Sequence, residues 1–119
     1  MKNRLKAITD AVNGIKQGFR TETHLKIHTV CAVSVIGAAL LFDTSMIEWT
    51  LLLLAMAMVF ITELLNTAIE AICNKIHPDF DTDIGLIKDI SAGAVLIAAV
   101  IAGIIGLIVF LPKILSIIP

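Results

Sequence analysis

One long uncharged run constrains this 119-residue chain more than any other feature. The segment from Ile90 to Pro112 contains 23 residues, and none of them carries a charge. A helix needs about 20 mostly apolar residues to cross the hydrocarbon core of a bilayer, so this segment alone predicts a membrane span. The chain is also 58% hydrophobic, which exceeds the level of about 45–50% in soluble domains. The sequence therefore predicts an all-α integral membrane protein.

Two further segments are predicted to cross the membrane. The first, 24–42, is uncharged after its opening turns and would extend about 28 Å as a helix. The second, 46–75, has Trp49 near its start, where an interfacial aromatic residue is common, and its far end is long enough to project into water. With a third span at 85–111, the sequence predicts three transmembrane helices in a single domain that covers 1–119.

The first 23 residues have an amphipathic pattern. Their apolar residues recur at steps of three or four: Leu5, Ile8, Val12, Ile15 and Phe19. Basic residues occupy the other faces, which is typical of a helix that lies on a membrane surface and contacts anionic headgroups. A helix packed on a soluble core is the alternative, and it is less favoured because the rest of the chain offers no such core.

The basic residues predict the orientation. Eight of the nine Lys and Arg lie at or before the start of the first span or around the loop between the second and third, and only Lys113 lies on the other side. The positive-inside rule then predicts a cytoplasmic N-terminus and a cytoplasmic 75–88 loop. The formal net charge of -1 provides no basic field, so no nucleic-acid partner is expected.

A polar stripe follows one face of the second predicted span. Its members are three or four residues apart, which stacks them along a helix: Glu63, Asn66, Thr67, Glu70 and Asn74. Insertion of a charged residue into the membrane costs about 2.5–3.5 kcal/mol of free energy at the helix centre, so the presence of Glu63 in this span requires an explanation. A lone Glu could snorkel, and a lone Asn could bond a neighbouring helix. Two Glu and two amides on one face favour a functional site.

Other charged residues are expected at the same end of the bundle: Glu22, Asp79, Asp81, Asp83, Lys88 and Asp89. Carboxylates can hold Mg²⁺, a Lys can neutralise phosphate oxygens, and a further carboxylate can accept the proton of an attacking hydroxyl. Phosphoryl transfer from a nucleotide requires these groups. The chain has neither a GxxxxGK[ST] nor a GxGxxG motif, so a nucleotide site would consist of helix side chains. Taken alone, the Lys88–Asp89 pair is better explained by snorkelling at the interface.

Three stretches resemble the prokaryotic diacylglycerol kinase and undecaprenol kinase family. They are ELLNTAIE at 63–70, KDISAGAVL at 88–96, and ETHLKIH at 22–28, which is similar to the family's Glu-x-Asn-x-Arg-Ile-His stretch. The resemblance covers almost the whole chain. It implies a lipid kinase that uses ATP and Mg²⁺ to phosphorylate the hydroxyl of a membrane lipid. It also implies a homotrimer in the bacterial inner membrane, with active sites shared between neighbouring subunits.

The resemblance implies roles for individual residues. Glu63 is the expected general base, and Glu22 and Glu70 are the expected Mg²⁺ ligands. Asn66 would orient the γ-phosphate or the base. The nucleotide site implied by the resemblance comprises Asp10, Glu22, Asn66, Glu70, Asp79, Phe80, Asp81, Lys88 and Asp89.

The chain departs from the family's pattern at two positions. Asn74 occurs where the family usually has Asp, and His24 occurs where it usually has Asn. Neither position is a proposed base or metal ligand. Activity with altered nucleotide affinity is therefore the expected consequence.

The lipid substrate and two other function classes remain open from the sequence. The ETHLKIH stretch, the NTAIE wording and the FLPK stretch at 110–113 favour undecaprenol, and diacylglycerol is the alternative. A small proton-coupled transporter would use Glu63 as its binding carboxylate but gives no reason for the charged cluster around it. A structural three-helix protein would use the stripe only to join helices.

Overall fold

The computed structural model describes residues 2–79 and 81–118, and this part of the chain folds into four helices without a strand. Helix α1 is Lys2–Thr21, α2 is Thr23–Leu41, α3 is Met46–Ile76 and α4 is Thr82–Leu115. The last three are long and apolar enough to cross a membrane. The prediction of an all-α membrane protein with three spanning helices and a preceding amphipathic helix is confirmed.

A single extended residue separates α1 from α2. Glu22 has φ -99° and ψ 121°, and its amide still donates to the carbonyl of Gly18 at 2.9 Å. The end of α1 packs on α3, where the ring centroids of Phe19 and Phe60 are 5.8 Å apart. The earlier apolar residues of α1 are uncovered, and Leu5 is 63% exposed. An uncovered apolar face beside basic residues suits a membrane surface.

The turn between α2 and α3 is held by a capping box. The hydroxyl of Ser45 accepts from the amide of Glu48 at 3.3 Å, and the Ser45 amide donates to Glu48 Oε2 at 2.7 Å. The Nζ of Lys113 on α4 donates to the carbonyl of Asp43 at 2.7 Å and to Glu48 Oε2 at 3.1 Å. The end of α4 is thereby tied to this turn.

Helix α4 is longer than the predicted 85–111 segment. Asp81 caps its start, because one carboxylate oxygen accepts from the amides of Asp83 and Ile84 at 3.0 Å each. At the other end, Pro112 lies inside the helix without ending it. Proline removes one amide donor, yet its own carbonyl still accepts from the amide of Ser116 at 3.1 Å, and the side chain of Lys113 is anchored to Asp43 and Glu48.

Helix α3 lies between α2 and α4 and packs more extensively against α4. All three helices meet at the end near the α2–α3 turn, where Ala39, Leu52 and Val109 are buried together. In the most apolar stretch of each spanning helix, only 11–28% of the residues are buried. So much exposed apolar surface requires lipid or further protein around it.

Candidate active site

Glu63 is a buried carboxylate in the middle of α3, with 3% of its surface exposed. The nearest basic side chain in the described chain is His28 of α2, whose Nε2 lies 3.8 Å from Glu63 Oε2. That separation is too long for a hydrogen bond. The hydroxyl of Thr67, one turn away, is already bonded to the Glu63 carbonyl at 2.9 Å. Within the described residues, the carboxylate therefore remains free to accept a proton or a hydrogen bond.

Asn66 lies one turn beyond Glu63 and is also buried, with 9% exposed. Its Nδ2 donates to Glu70 Oε1 at 3.3 Å, which joins two members of the polar stripe. Its Oδ1 is buried without a hydrogen-bond partner among the residues that the structure describes. A buried oxygen without a partner costs about 1–3 kcal/mol, so a donor or a cation that reaches it would be stabilised.

Three residues of the polar stripe line a cavity of about 440 Å³ between α2, α3 and α4. Its polar lining comes from α2, its preceding corner and α3: Glu22, His24, His28, Glu63, Asn66 and Glu70. The wall from α4 is apolar and partly made of small residues, namely Ala92, Val95, Leu96 and Ala99. We call this space the polar cavity. Three carboxylates therefore share one cavity within a largely apolar bundle.

A second cavity of about 380 Å³ adjoins the first and is almost wholly apolar. It lies in the groove between α2 and α4 and includes Cys31, Val35, Phe60 and Gly106 in its lining. We call it the apolar groove. His28 and Ala99 line both spaces. An apolar ligand in the groove could therefore extend a polar end past His28 towards Glu63.

The donor set of the polar cavity suits a nucleotide-bound Mg²⁺. Glu22 and Glu70 supply carboxylate oxygens, and Asn66 supplies an amide oxygen without a partner among the described residues. Over residues 2–79 and 81–118, no group of three or more His, Cys, Asp or Glu could hold a metal by itself. Mg²⁺ usually takes only one or two carboxylates and completes its shell with phosphates and water. The residues therefore fit a metal that arrives with a nucleotide.

Lys88 lies outside the lining of the polar cavity and instead joins two helix ends. Its Nζ donates to Asn74 Oδ1 at 3.2 Å, which links the start of α4 to the end of α3. Asn74 is the last residue of the polar stripe, and its amide oxygen accepts this bond. The part predicted for Lys88 in nucleotide binding remains a prediction.

Four other predicted nucleotide-site residues are also outside the lining of the polar cavity: Asp10, Asp79, Asp81 and Asp89. Asp81 caps α4, whereas Asp10, Asp79 and Asp89 are exposed. Phe80 lies outside the described residues. The structure thus gathers Glu22, Glu63, Asn66 and Glu70, and the roles of the others remain predictions.

No role was predicted for His28, although its imidazole is the basic group that lies 3.8 Å from the Glu63 carboxylate. One feature of the sequence could have pointed to His28. An imidazole in the first turns of an apolar span, on the helix that faces the polar stripe, is costly unless it contacts a polar partner.

Comparison with known proteins gives a consistent result. A family model described as prokaryotic diacylglycerol kinase matches residues 9–110. The chain is 41% identical over 112 residues to the undecaprenol kinase of Bacillus subtilis (strain 168), covering 91% of this chain and 88% of that protein. It is 37% identical over 115 residues to a diacylglycerol kinase of Synechocystis, covering 96% and 66% respectively. It is 30% identical over 98 residues to the diacylglycerol kinase of Escherichia coli (strain K12), covering 82% and 80%.

Proposed function

Since this chain belongs to the prokaryotic diacylglycerol kinase family and is a lipid kinase, we propose that it transfers the γ-phosphate of ATP to the hydroxyl of undecaprenol. The similarity to a protein named undecaprenol kinase over most of both chains supports this lipid. Diacylglycerol is the second candidate, supported by the relatives that carry that name. Membership of a kinase family argues against the transporter and the purely structural alternatives.

The observation that carries the proposal is the position of Glu63 in the polar cavity, which shares His28 and Ala99 with the apolar groove. A lipid alcohol is insoluble in water and ATP is insoluble in the membrane, so the reaction needs a site that both can reach. Glu63 would accept the hydroxyl proton as the oxygen bonds to the γ-phosphorus. The bond from phosphorus to the bridging oxygen breaks, and ADP leaves. The products are a lipid phosphate and ADP.

The remaining carboxylates have a different role in this proposal. Glu22 and Glu70 would hold Mg²⁺ with the phosphates, and the free oxygen of Asn66 would take a donor or the metal. The metal supplies positive charge to the phosphate oxygens when bound. In one chain, the predicted nucleotide-site residues Lys88 and Asp89 lie outside the polar cavity. A homotrimer in which neighbouring chains complete each site would bring them closer and would cover exposed apolar surface.

The same proposal predicts the orientation of the chain in the membrane. ATP is cytoplasmic, so the end of the bundle that carries Glu22 and Glu70 faces the cytoplasm in this proposal. The N-terminus would then lie on the cytoplasmic side of the bacterial inner membrane, in agreement with the distribution of basic residues.

Transfer of labelled phosphate from ATP to undecaprenol and to diacylglycerol, measured in detergent micelles with Mg²⁺, tests the proposal. We expect transfer to both lipids with preference for undecaprenol. Glu63→Gln keeps the size of the side chain and removes the base, so transfer should fall by about 10²–10⁴-fold. Thr67→Val is the matched control, because that hydroxyl is bonded to the backbone of its own helix. No transfer to either lipid by folded protein would disprove the kinase assignment, and near-full turnover by Glu63→Gln would exclude Glu63 as the base.

A further inference from the structure

We infer that His28 is a positioning residue for Glu63: its imidazole fixes the carboxylate at the point where the polar cavity joins the apolar groove. This inference rests on the proposed function and deepens it, because it assigns the geometry of the base to a second side chain. The two atoms that would bond, His28 Nε2 and Glu63 Oε2, are 3.8 Å apart. A movement of about 1 Å brings them to the 2.7–2.9 Å typical of a hydrogen bond to a carboxylate.

The surroundings of Glu63 leave few other groups for this task. On α3, the hydroxyl of Thr67 is committed to the backbone, and the Nδ2 of Asn66 donates one of its two N–H groups to Glu70 and forms no hydrogen bond with Glu63. On α4, the residues that line the polar cavity are Ala92, Val95, Leu96 and Ala99, which have no side-chain donor. On α2, His28 is the described residue whose side chain lies near the carboxylate.

The remaining titratable groups that line the polar cavity are Glu22, His24 and Glu70. Of these, His24 is the basic group, and it forms no ion pair with Glu63 within 4.0 Å in the described chain, whereas Glu22 and Glu70 have no hydrogen to donate when ionised. A neutral imidazole can donate through Nε2, so the positioning does not require His28 to carry a charge.

The backbone of His28 is held in place by a buried neighbour. Leu25, one turn earlier on α2, is the most buried side chain described, with 0% exposed. It fixes the start of α2 against the rest of the bundle. The imidazole is 79% covered, since its side chain is 21% exposed, and it lines both spaces. A lipid hydroxyl that approaches Glu63 from the groove passes this ring, so the ring can also limit the angle at which the carboxylate meets the hydroxyl.

The test is steady-state kinetics of phosphate transfer by the full chain in micelles, with ATP and the lipid varied separately. His28→Phe keeps a ring of similar size and removes the donor. We expect its kcat to fall by about 10- to 100-fold, with KM for ATP and for the lipid within about twofold. His28→Gln keeps a side-chain N–H and should recover most of the loss. Thr29→Val is the control one residue away, because the Thr29 hydroxyl bonds only the Leu25 carbonyl of its own helix.

A second arm asks whether His28 acts through Glu63. In the Glu63→Gln background, His28→Phe should produce no further loss of kcat, since the carboxylate that it positions is gone. An unchanged kcat in His28→Phe overturns the inference, and so does a loss confined to KM for the lipid, which would make His28 a lipid contact. Multiplicative losses in the double variant also overturn it. In these three cases the transfer by the parent protein leaves the proposed function standing, whereas absence of transfer by the parent removes both.

Discussion

The contact between Gly18 and α3 provides a sharp test of how the surface helix is attached. A Cβ added at Gly18 would lie 2.8 Å from Leu64 Cδ2 and 3.3 Å from Leu25 Cδ1. At Gly14, one turn earlier in the same helix, a Cβ would have nothing within 4 Å. The two glycines therefore form a matched pair. Gly18→Ala adds a methyl group to a packed contact, and Gly14→Ala adds one in open space.

The size of the effect follows from these distances. Both substitutions gain about 0.5–1 kcal/mol of helix stability, because Ala loses less backbone entropy than Gly. Carbon atoms pack at about 3.5–4.0 Å, so the methyl of Leu64 must retreat by roughly 0.7 Å to admit the Gly18→Ala methyl. Overpacking of this kind costs about 1–3 kcal/mol, and the flexible end of a Leu favours the lower part of that range. The difference between the two variants isolates this cost, since the helix term is common to both.

Thermal unfolding of the purified protein in one detergent measures the difference. We expect the unfolding temperature to rise for Gly14→Ala and to fall by several degrees relative to it for Gly18→Ala. Leu64 follows Glu63 on α3, so Gly18→Ala should also reduce phosphate transfer while Gly14→Ala does not. Equal unfolding temperatures for the two variants would refute the claim that α1 is docked through Gly18.

Two further predictions concern the metal ligands and the opposite end of the bundle. Glu70→Gln should lower phosphate transfer and should be partly rescued by raised Mg²⁺, because it removes one proposed ligand and leaves Glu22; a complete lack of rescue in a Mg²⁺ titration would exclude Glu70 as a ligand. Lys113→Met keeps the length of the side chain and loses the hydrogen bonds to Asp43 and Glu48, so the unfolding temperature should fall by a few degrees while KM for ATP stays unchanged. A changed KM for ATP would show that this end is coupled to the site.

The sequence predicted the helices well, because length, hydropathy and capping act locally. The predicted spans 24–42, 46–75 and 85–111 corresponded to α2, α3 and α4, with every end within four residues of the one observed. The largest differences were at α4, where Asp81 caps an earlier start and Pro112 does not terminate the helix. The tie from Lys113 to Asp43 joins residues 70 positions apart, and no local pattern reports such a contact.

The site was predictable where its members share one helix. Glu63, Asn66 and Glu70 follow from the spacing of a single stripe, and the structure places all three in one cavity. The distance from His28 to Glu63 depends on how α2 packs against α3, which spacing along one helix does not determine. The charged residues near the loop, such as Lys88, were expected to converge on the stripe. In one chain, Lys88 bonds the last residue of the stripe, Asn74, and lies outside the lining of the polar cavity.

The stripe residues that line the polar cavity and the charged residues near the loop between α3 and α4 differ in their surroundings for a physical reason. Glu63 and Asn66 are the buried polar residues of the polar cavity, and burial of a polar group without a partner costs several kcal/mol, so both need ligands or neighbours to be stable there. Lys88 and Asp81 lie near the loop between α3 and α4, where Lys88 bonds Asn74 and Asp81 caps α4, and Asp79 and Asp89 are exposed there. In the proposed mechanism, the folded bundle therefore holds the base in place, and the nucleotide contacts near the loop form when ATP binds. This arrangement predicts that substitutions at Glu63 or His28 reduce kcat, whereas substitutions at Lys88 raise KM for ATP first.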